Sequence, residues 1–148
     1  MSAAVFAASF AALYAGHQVG DIWAQRDWQA LSKGLPGWHG RLACAEHVAV
    51  LTACLAACLG ALIAVTGMRP DPVAVLAALA VNAVSHYAAD RRRPLAALAE
   101  RLGKGPLYRI GQPRPGHDDN PTLGTGAFQL DQAFHIAWLF VAALIIAA

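Results

Sequence analysis

The sequence predicts an all-α fold: a four-helix transmembrane bundle with a short interfacial amphipathic helix between the third and fourth spans. Three observations predict it. The 148-residue chain is 57% hydrophobic and only 14% charged, against roughly 45–50% and about 25% in an ordinary soluble domain. Its apolar residues are gathered into four blocks, each near the ~20 residues that cross the hydrocarbon core as a helix. Basic residues are concentrated in alternate connections between those blocks. Length and pattern together describe a single integral membrane domain spanning residues 1–148.

The first span is expected over about 3–23. It lacks the basic leader of a secretory signal and carries His17 and Asp21, which a disposable apolar segment would not, so it reads as a retained helix. The second is expected over about 42–66 and contains Cys44, Cys54 and Cys58. An odd count inside one apolar block makes no disulfide framework. These thiols read as small packing groups, with a soft-metal role for Cys54 and Cys58, four residues apart, as the alternative. The third span, about 72–90, begins with Pro72, a residue suited to a first helical position. The fourth covers about 127–147. Small residues such as Ala56, Ala57, Gly60, Ala77, Ala78 and Ala80 allow close helix approach in lipid, where packing drives association.

Loop charge sets the expected orientation. The connection 24–41 holds Arg26, Lys33 and Arg41; the connection 91–126 holds Arg91, Arg92, Arg93, Arg101, Lys104, Arg109 and Arg114; the opposite side holds only Arg69. Lys and Arg concentrate in cytoplasmic loops, so both long connections are expected inside and both termini outside, in a bacterial inner membrane. The Ala- and Arg-rich composition points to a high-GC bacterial source. Within the second connection Leu95, Leu98, Ala99 and Leu102 recur at helical spacing, the pattern of a helix lying on the membrane surface. From Gly111 to Gly126 the chain is loop-like. Trp23, Trp28, Trp38 and Tyr108 suit an interfacial aromatic belt. The lipid bilayer is the expected partner. A net charge of +2 and the lack of a DNA-binding motif predict no nucleic-acid partner, and a homo-oligomer is compatible with the sequence.

Ionisable residues inside membrane helices are costly and mark function. Here they recur as pairs: His17 with Asp21, His86 with Asp90, and Asp131 with His135, each at i,i+4. That spacing places both side chains on one helix face. Chance would produce three such pairs among six His with a probability of about 2%. The predicted topology brings all three to one membrane face, with each His about one turn, ~6 Å, deeper than its Asp. His47 and Glu46 stand near the same level on the second span. The expected arrangement is an inner layer of His17, His86, His135 and His47 beneath an outer layer of Asp21, Asp90 and Asp131. Imidazole with carboxylate suits a divalent transition ion, Zn first and Mn or Fe next, and seven ligands could serve one ion with its supporting shell or two ions. His39, His117, Asp118 and Asp119 read as loop residues, and Asp27 and Glu100 as surface charges.

On His17 to Asp21, His47, His86 to Asp90, and Asp131-Gln132 followed by His135, the chain resembles a bacterial family of small polytopic membrane proteins classed as a domain of unknown function and sometimes labelled as transcriptional regulators. The resemblance spans nearly the whole chain, rests on short motifs, and brings no activity with it. From the residues themselves, a metal-dependent hydrolase is one expectation. Asp21 or Asp90 would be the general base, Arg91, Arg92, Arg93 and Arg114 would hold an anion, and a lipid or phosphoester would be the substrate. A non-enzymatic ion- or proton-handling protein, or an accessory subunit, is the alternative. A structural cluster whose His and Asp satisfy one another is the third reading.

Overall fold

The computed structural model describes residues 3–112 and 124–148. Among them there is no strand: the elements are α1 (Ala3–Gln18), a π-helical turn (Val19–Trp23), α2 (Asp27–Ser32), α3 (Gly37–Thr66), α4 (Pro72–Asp90), α5 (Arg93–Arg101), α6 (Gly105–Tyr108) and α7 (Gly126–Ala147). Three of them, α3, α4 and α7, are long and apolar enough to cross a membrane. α1 alone has 16 residues, but the π turn continues its helical run to Trp23.

The four principal helices close a ring of contacts, α1 on α3 and α7, and α4 on α3 and α7. One end of this ring carries the start of α1 and the end of α7; the other carries α2, α5 and α6 and is called the loop end here. Toward the terminal end the core is dry. Leu13, Leu51, Leu55, Leu59, Ala78, Leu139, Ala142, Ala143 and Ile146 are buried together, and Phe6 meets Phe140 edge to face at 5.1 Å. The outward surface is apolar too: Val65, Val73, Leu76 and Val84 stand exposed. That inversion of the usual polar surface suits a helix group solvated by lipid.

Close approach of α1 to α3 rests on two glycines one turn apart. A Cβ on Gly16 would sit 2.9 Å from the Cys54 carbonyl oxygen and the Leu55 Cα, and one on Gly20 would sit 2.9 Å from the Leu51 Cα. Small residues at this spacing let helix backbones touch.

The connection expected to be a plain loop over 24–41 is mostly helical. α2 starts with the Arg26 amide donating to Gln29 Oε1 at 3.0 Å, and α3 begins at Gly37 rather than at about Leu42. At ~1.5 Å per residue the 30-residue α3 is ~45 Å long, more than the ~30 Å hydrocarbon core. Its first turns, with exposed Trp38 and the Arg41 guanidinium 5.3 Å over the indole, therefore reach beyond the apolar stretch. α3 ends on Gly67, left-handed at φ 69°, whose amide donates to the Ile63 carbonyl. Asp71 caps α4 by accepting from the Val73 amide at 2.9 Å, ahead of Pro72. Of the apolar stripe read from the sequence, Leu95 and Ala99 are buried while Leu98 and Leu102 are exposed. Thr125 caps α7, accepting from the Phe128 amide at 3.1 Å.

Candidate metal centre

Each principal helix delivers ligand-type side chains to the loop end: His17 from α1, Asp21 from the π turn, His47 from α3, His86 and Asp90 from α4, and Asp131 and His135 from α7. His17, His47 and His86 are fully buried, His135 is 1% exposed and Asp90 3%. So much imidazole and carboxylate in one dry place demands partners, because unpaired buried polar groups are costly.

Four of the ligand atoms converge. His47 Nε2 lies 3.1 Å from Asp21 Oδ1, 3.3 Å from Asp90 Oδ2 and 3.1 Å from His86 Nε2. His86 Nε2 lies 3.2 Å from Asp90 Oδ2 and 3.8 Å from Asp21 Oδ1. A tetrahedral ion with bonds of about 2.0–2.1 Å holds its ligand atoms roughly 3.3–3.4 Å apart, so Asp21, His47 and His86 are a group that could hold an ion. The two histidine nitrogens are within hydrogen-bonding distance of each other, whereas Asp90 Oδ2, close to both, has no hydrogen-bond partner.

Two further groups surround this one. Asp90, Asp131 and His135 have ligand atoms within 4.8 Å of one another, as do His17, His86 and His135. His135 Nε2 stands 3.4 Å from Asp131 Oδ2, also without a hydrogen bond. Both ring nitrogens of His17 and Nδ1 of His86 lack partners. The rings of His86 and His135 stack at 3.9 Å between centroids, with His17 at 5.5 and 5.2 Å from them.

Of the three expected i,i+4 pairs, those on α4 and α7 are in contact and the first is not. No ion pair joins His17 to Asp21. The π turn that begins at Val19 turns Asp21 away from the His17 face and toward His47 and His86. Such turns occur mostly as single insertions, frequently at functional sites. Nor do the seven residues form a layer of His beneath a layer of Asp, since Asp21 Oδ1 and Asp90 Oδ2 each lie within 3.1–3.8 Å of His47 Nε2 and His86 Nε2. Glu46 is exposed and outside all three groups, as its position one residue from buried His47 requires.

Three contributors were not read from the sequence as site residues. Lys33 Nζ pairs with Asp90 Oδ1 at 2.9 Å and approaches Asp21 Oδ1 at 3.8 Å. Gln132 Nε2 donates to Asp21 Oδ2 at 3.3 Å, and Gln25 Nε2 lies 3.0 Å from both ring nitrogens of His47. Gln132 is adjacent to Asp131 and could have been flagged by that neighbour. Lys33 and Gln25 carry no local signal, because only folding of the 24–36 connection over the helix ends brings them in.

Two of the arginines expected to hold an anion, Arg91 and Arg92, donate to backbone carbonyls. Arg91 donates to the Lys33 carbonyl at 2.5 Å and the Leu35 carbonyl at 2.6 Å, and Arg92 to the Ala30 carbonyl at 3.4 Å. Both guanidiniums therefore tie α2 to the end of α4. Arg92 makes this turn at φ 59°, a left-handed value unusual outside glycine. Arg93 is exposed. Arg114, with His117, Asp118 and Asp119, lies outside the described residues. Arg109 instead pairs with Glu100. Cys44 is buried, its thiol directed at the Tyr87 carbonyl at 3.7 Å, and all three cysteines are free. Near the α7 start, burial and the Asp131 charge push the Tyr108 phenol above its ordinary range.

The described geometry is that of a chain with three membrane-length apolar helices and buried His/Asp groups able to hold a metal ion. Comparison with protein-family models, curated proteins and solved structures gives no match, so the arrangement of these side chains is what bears on function.

Proposed function

We propose that this chain is an integral membrane metal-binding protein, a four-helix transmembrane bundle that holds a divalent transition ion through Asp21, His47 and His86, with Asp90 beside them. The observation that carries the reading is that Asp21, His47 and His86 bring ligand atoms within 4.8 Å of one another, with the unpartnered Asp90 Oδ2 at 3.3 and 3.2 Å from the two histidine nitrogens. Two imidazoles and a carboxylate, with a second carboxylate beside them, suit Zn first, with Mn or Fe next. α1 with its π turn is the fourth span. The loop end, with Arg26, Lys33, Arg41 and the Arg91 to Arg93 run, faces the cytoplasm of a bacterial inner membrane and leaves both termini outside. α5 lies at the interface with Leu98 and Leu102 exposed. Kinship with the bacterial family of small polytopic proteins is part of this proposal.

The reading extends to hydrolysis of a lipid or phosphoester at the cytoplasmic face. Asp21, His47 and His86 already form a three-ligand group, which leaves a position for water when Asp90 stays with Lys33. Asp90 is then the general base. An apolar groove lined by Ala45, Val48, Ala49, Thr52, Ala83 and Tyr87 runs along the same two helices, α3 and α4, that carry His47 and His86, and suits an acyl chain.

Elemental analysis of detergent-purified protein, wild type beside His86→Ala, tests the metal reading. Stoichiometric metal that is lost in the variant supports it; a well-folded wild type that takes up no Zn, Mn or Fe overturns it. Turnover of lipid and phosphoester substrates by the loaded protein, lost in Asp90→Asn while metal is retained, supports hydrolysis. Metal without turnover leaves the non-enzymatic ion-handling or accessory reading.

A further inference from the structure

Asp21, Asp90 and Asp131 bring three negative charges into the metal-ligand groups, and Lys33 brings one positive charge to two of them. The Lys33 side chain is 13% exposed, against 2% for Asp90 and 10% for Asp21. It is not a wandering surface lysine. Its carbonyl accepts from Arg91 Nη1, its amide donates to the Gln29 carbonyl at 2.8 Å, and a Cβ on the next residue, Gly34, would sit 2.7 Å from the Arg92 side chain. The end of α4 thus clamps the backbone that aims the ammonium. The two oxygens of Asp90 divide the work: Oδ1 meets Lys33, and Oδ2 meets the nitrogens of His47 and His86.

Buried charge is tolerated only when neutralised nearby. Asp21 and Asp90 are largely buried beside Lys33, and Asp131 stands 26% exposed beside His135; over the three overlapping ligand groups, three carboxylates and one ammonium leave two negative charges, the complement of one divalent cation. We propose that Lys33 sets the charge of this centre to one divalent ion. It holds Asp21 and Asp90 together before the ion arrives and weakens the ion's binding once it is there. This inference rests on the metal reading above. It adds that the centre takes one ion rather than two, and that its affinity is limited by a cation built into the chain.

The test is zinc binding by full-length wild type, Lys33→Met and Lys33→Arg in detergent, by competition against a chelator, with thermal unfolding in zinc and in chelator. Methionine keeps an apolar stem of similar length and removes the charge; arginine keeps the charge. Wild type should bind one zinc. Lys33→Met should bind it at least about tenfold more tightly, because a positive charge beside the ligands is gone. It should melt below wild type in chelator and gain more from zinc, while Lys33→Arg stays near wild type. A Lys33→Met chain that folds only with zinc also supports the proposal, the ion then replacing the ammonium. Equal or weaker binding by Lys33→Met, two zinc ions in wild type, or failure of Lys33→Met to fold even with zinc overturns it. In the first two of these cases the metal centre itself stands. If no form binds zinc, both readings fall.

Discussion

The same four helices meet through two different kinds of interior. Toward the terminal end, Leu13, Leu51, Leu55, Leu59 and Leu139 interlock with small residues of α4 and α7. Toward the loop end, His17, His47, His86 and His135 occupy equivalent inward positions one or two turns farther along. The first interior is held by dispersion and close fit, with no strong directional demand. The second is held by directional groups that are close to one another but incompletely hydrogen-bonded. The difference teaches where stability and function are separable. A change in the leucine half should loosen the helices without touching the ligands, and a change among the ligands should empty the site without unpacking the leucines.

His86→Ala is the sharpest way to break that comparison. His86 belongs to two of the three ligand groups, so its loss should weaken metal binding by more than about 100-fold, read as metal content after dialysis, with the helical circular dichroism kept. Collapse of the helical signal would show that the cluster is structural. Leu55→Ala should cost about 2–5 kcal/mol of stability from cavity formation at a fully buried site, measured by denaturant titration in detergent, with metal content unchanged. A parallel loss of metal would mean that the two halves are one cooperative unit.

Gly20→Ala tests the junction between them. Its Cβ would press on the α3 backbone beside the π turn that carries Asp21, so it should cost about 1–3 kcal/mol and also weaken zinc binding. An effect on stability alone would mean that Asp21 is positioned independently of helix spacing. The smallest effect concerns Tyr108. Its raised folded-state pKa means that the stability tied to its neutral form is present below the unfolded phenol pKa and is lost as pH rises through the folded one. Tyrosinate absorbance, differenced against Tyr108→Phe, should show this residue ionising above the ordinary phenol range. Titration at the ordinary value would place it in water rather than beside Asp131.

Much of this was legible in the amino-acid order. The apolar blocks marked α3, α4 and α7 by composition, and the i,i+4 spacing of His86 with Asp90 and Asp131 with His135 follows from helix geometry alone. His47 was readable as an inward residue at the right depth. The π turn over Val19–Trp23 was not readable from residue spacing, nor was the close approach of Gly16 and Gly20 to Cys54, Leu55 and Leu51, residues distant in sequence. The carbonyl contacts of Arg91 and Arg92 were not readable for a related reason: a basic run at a helix end has the same composition whether its guanidiniums meet phosphate, water or backbone carbonyls.

The sequence by itself determined that the chain is helical and apolar, and that imidazole and carboxylate recur one helical turn apart, since both properties depend on local residue order. Tertiary structure alone decided which of those groups come within 3–4 Å of one another and that Lys33 stands beside them. Separations of 3–4 Å between atoms on different helices depend on how backbones approach and where connections fold back, and no local pattern encodes that.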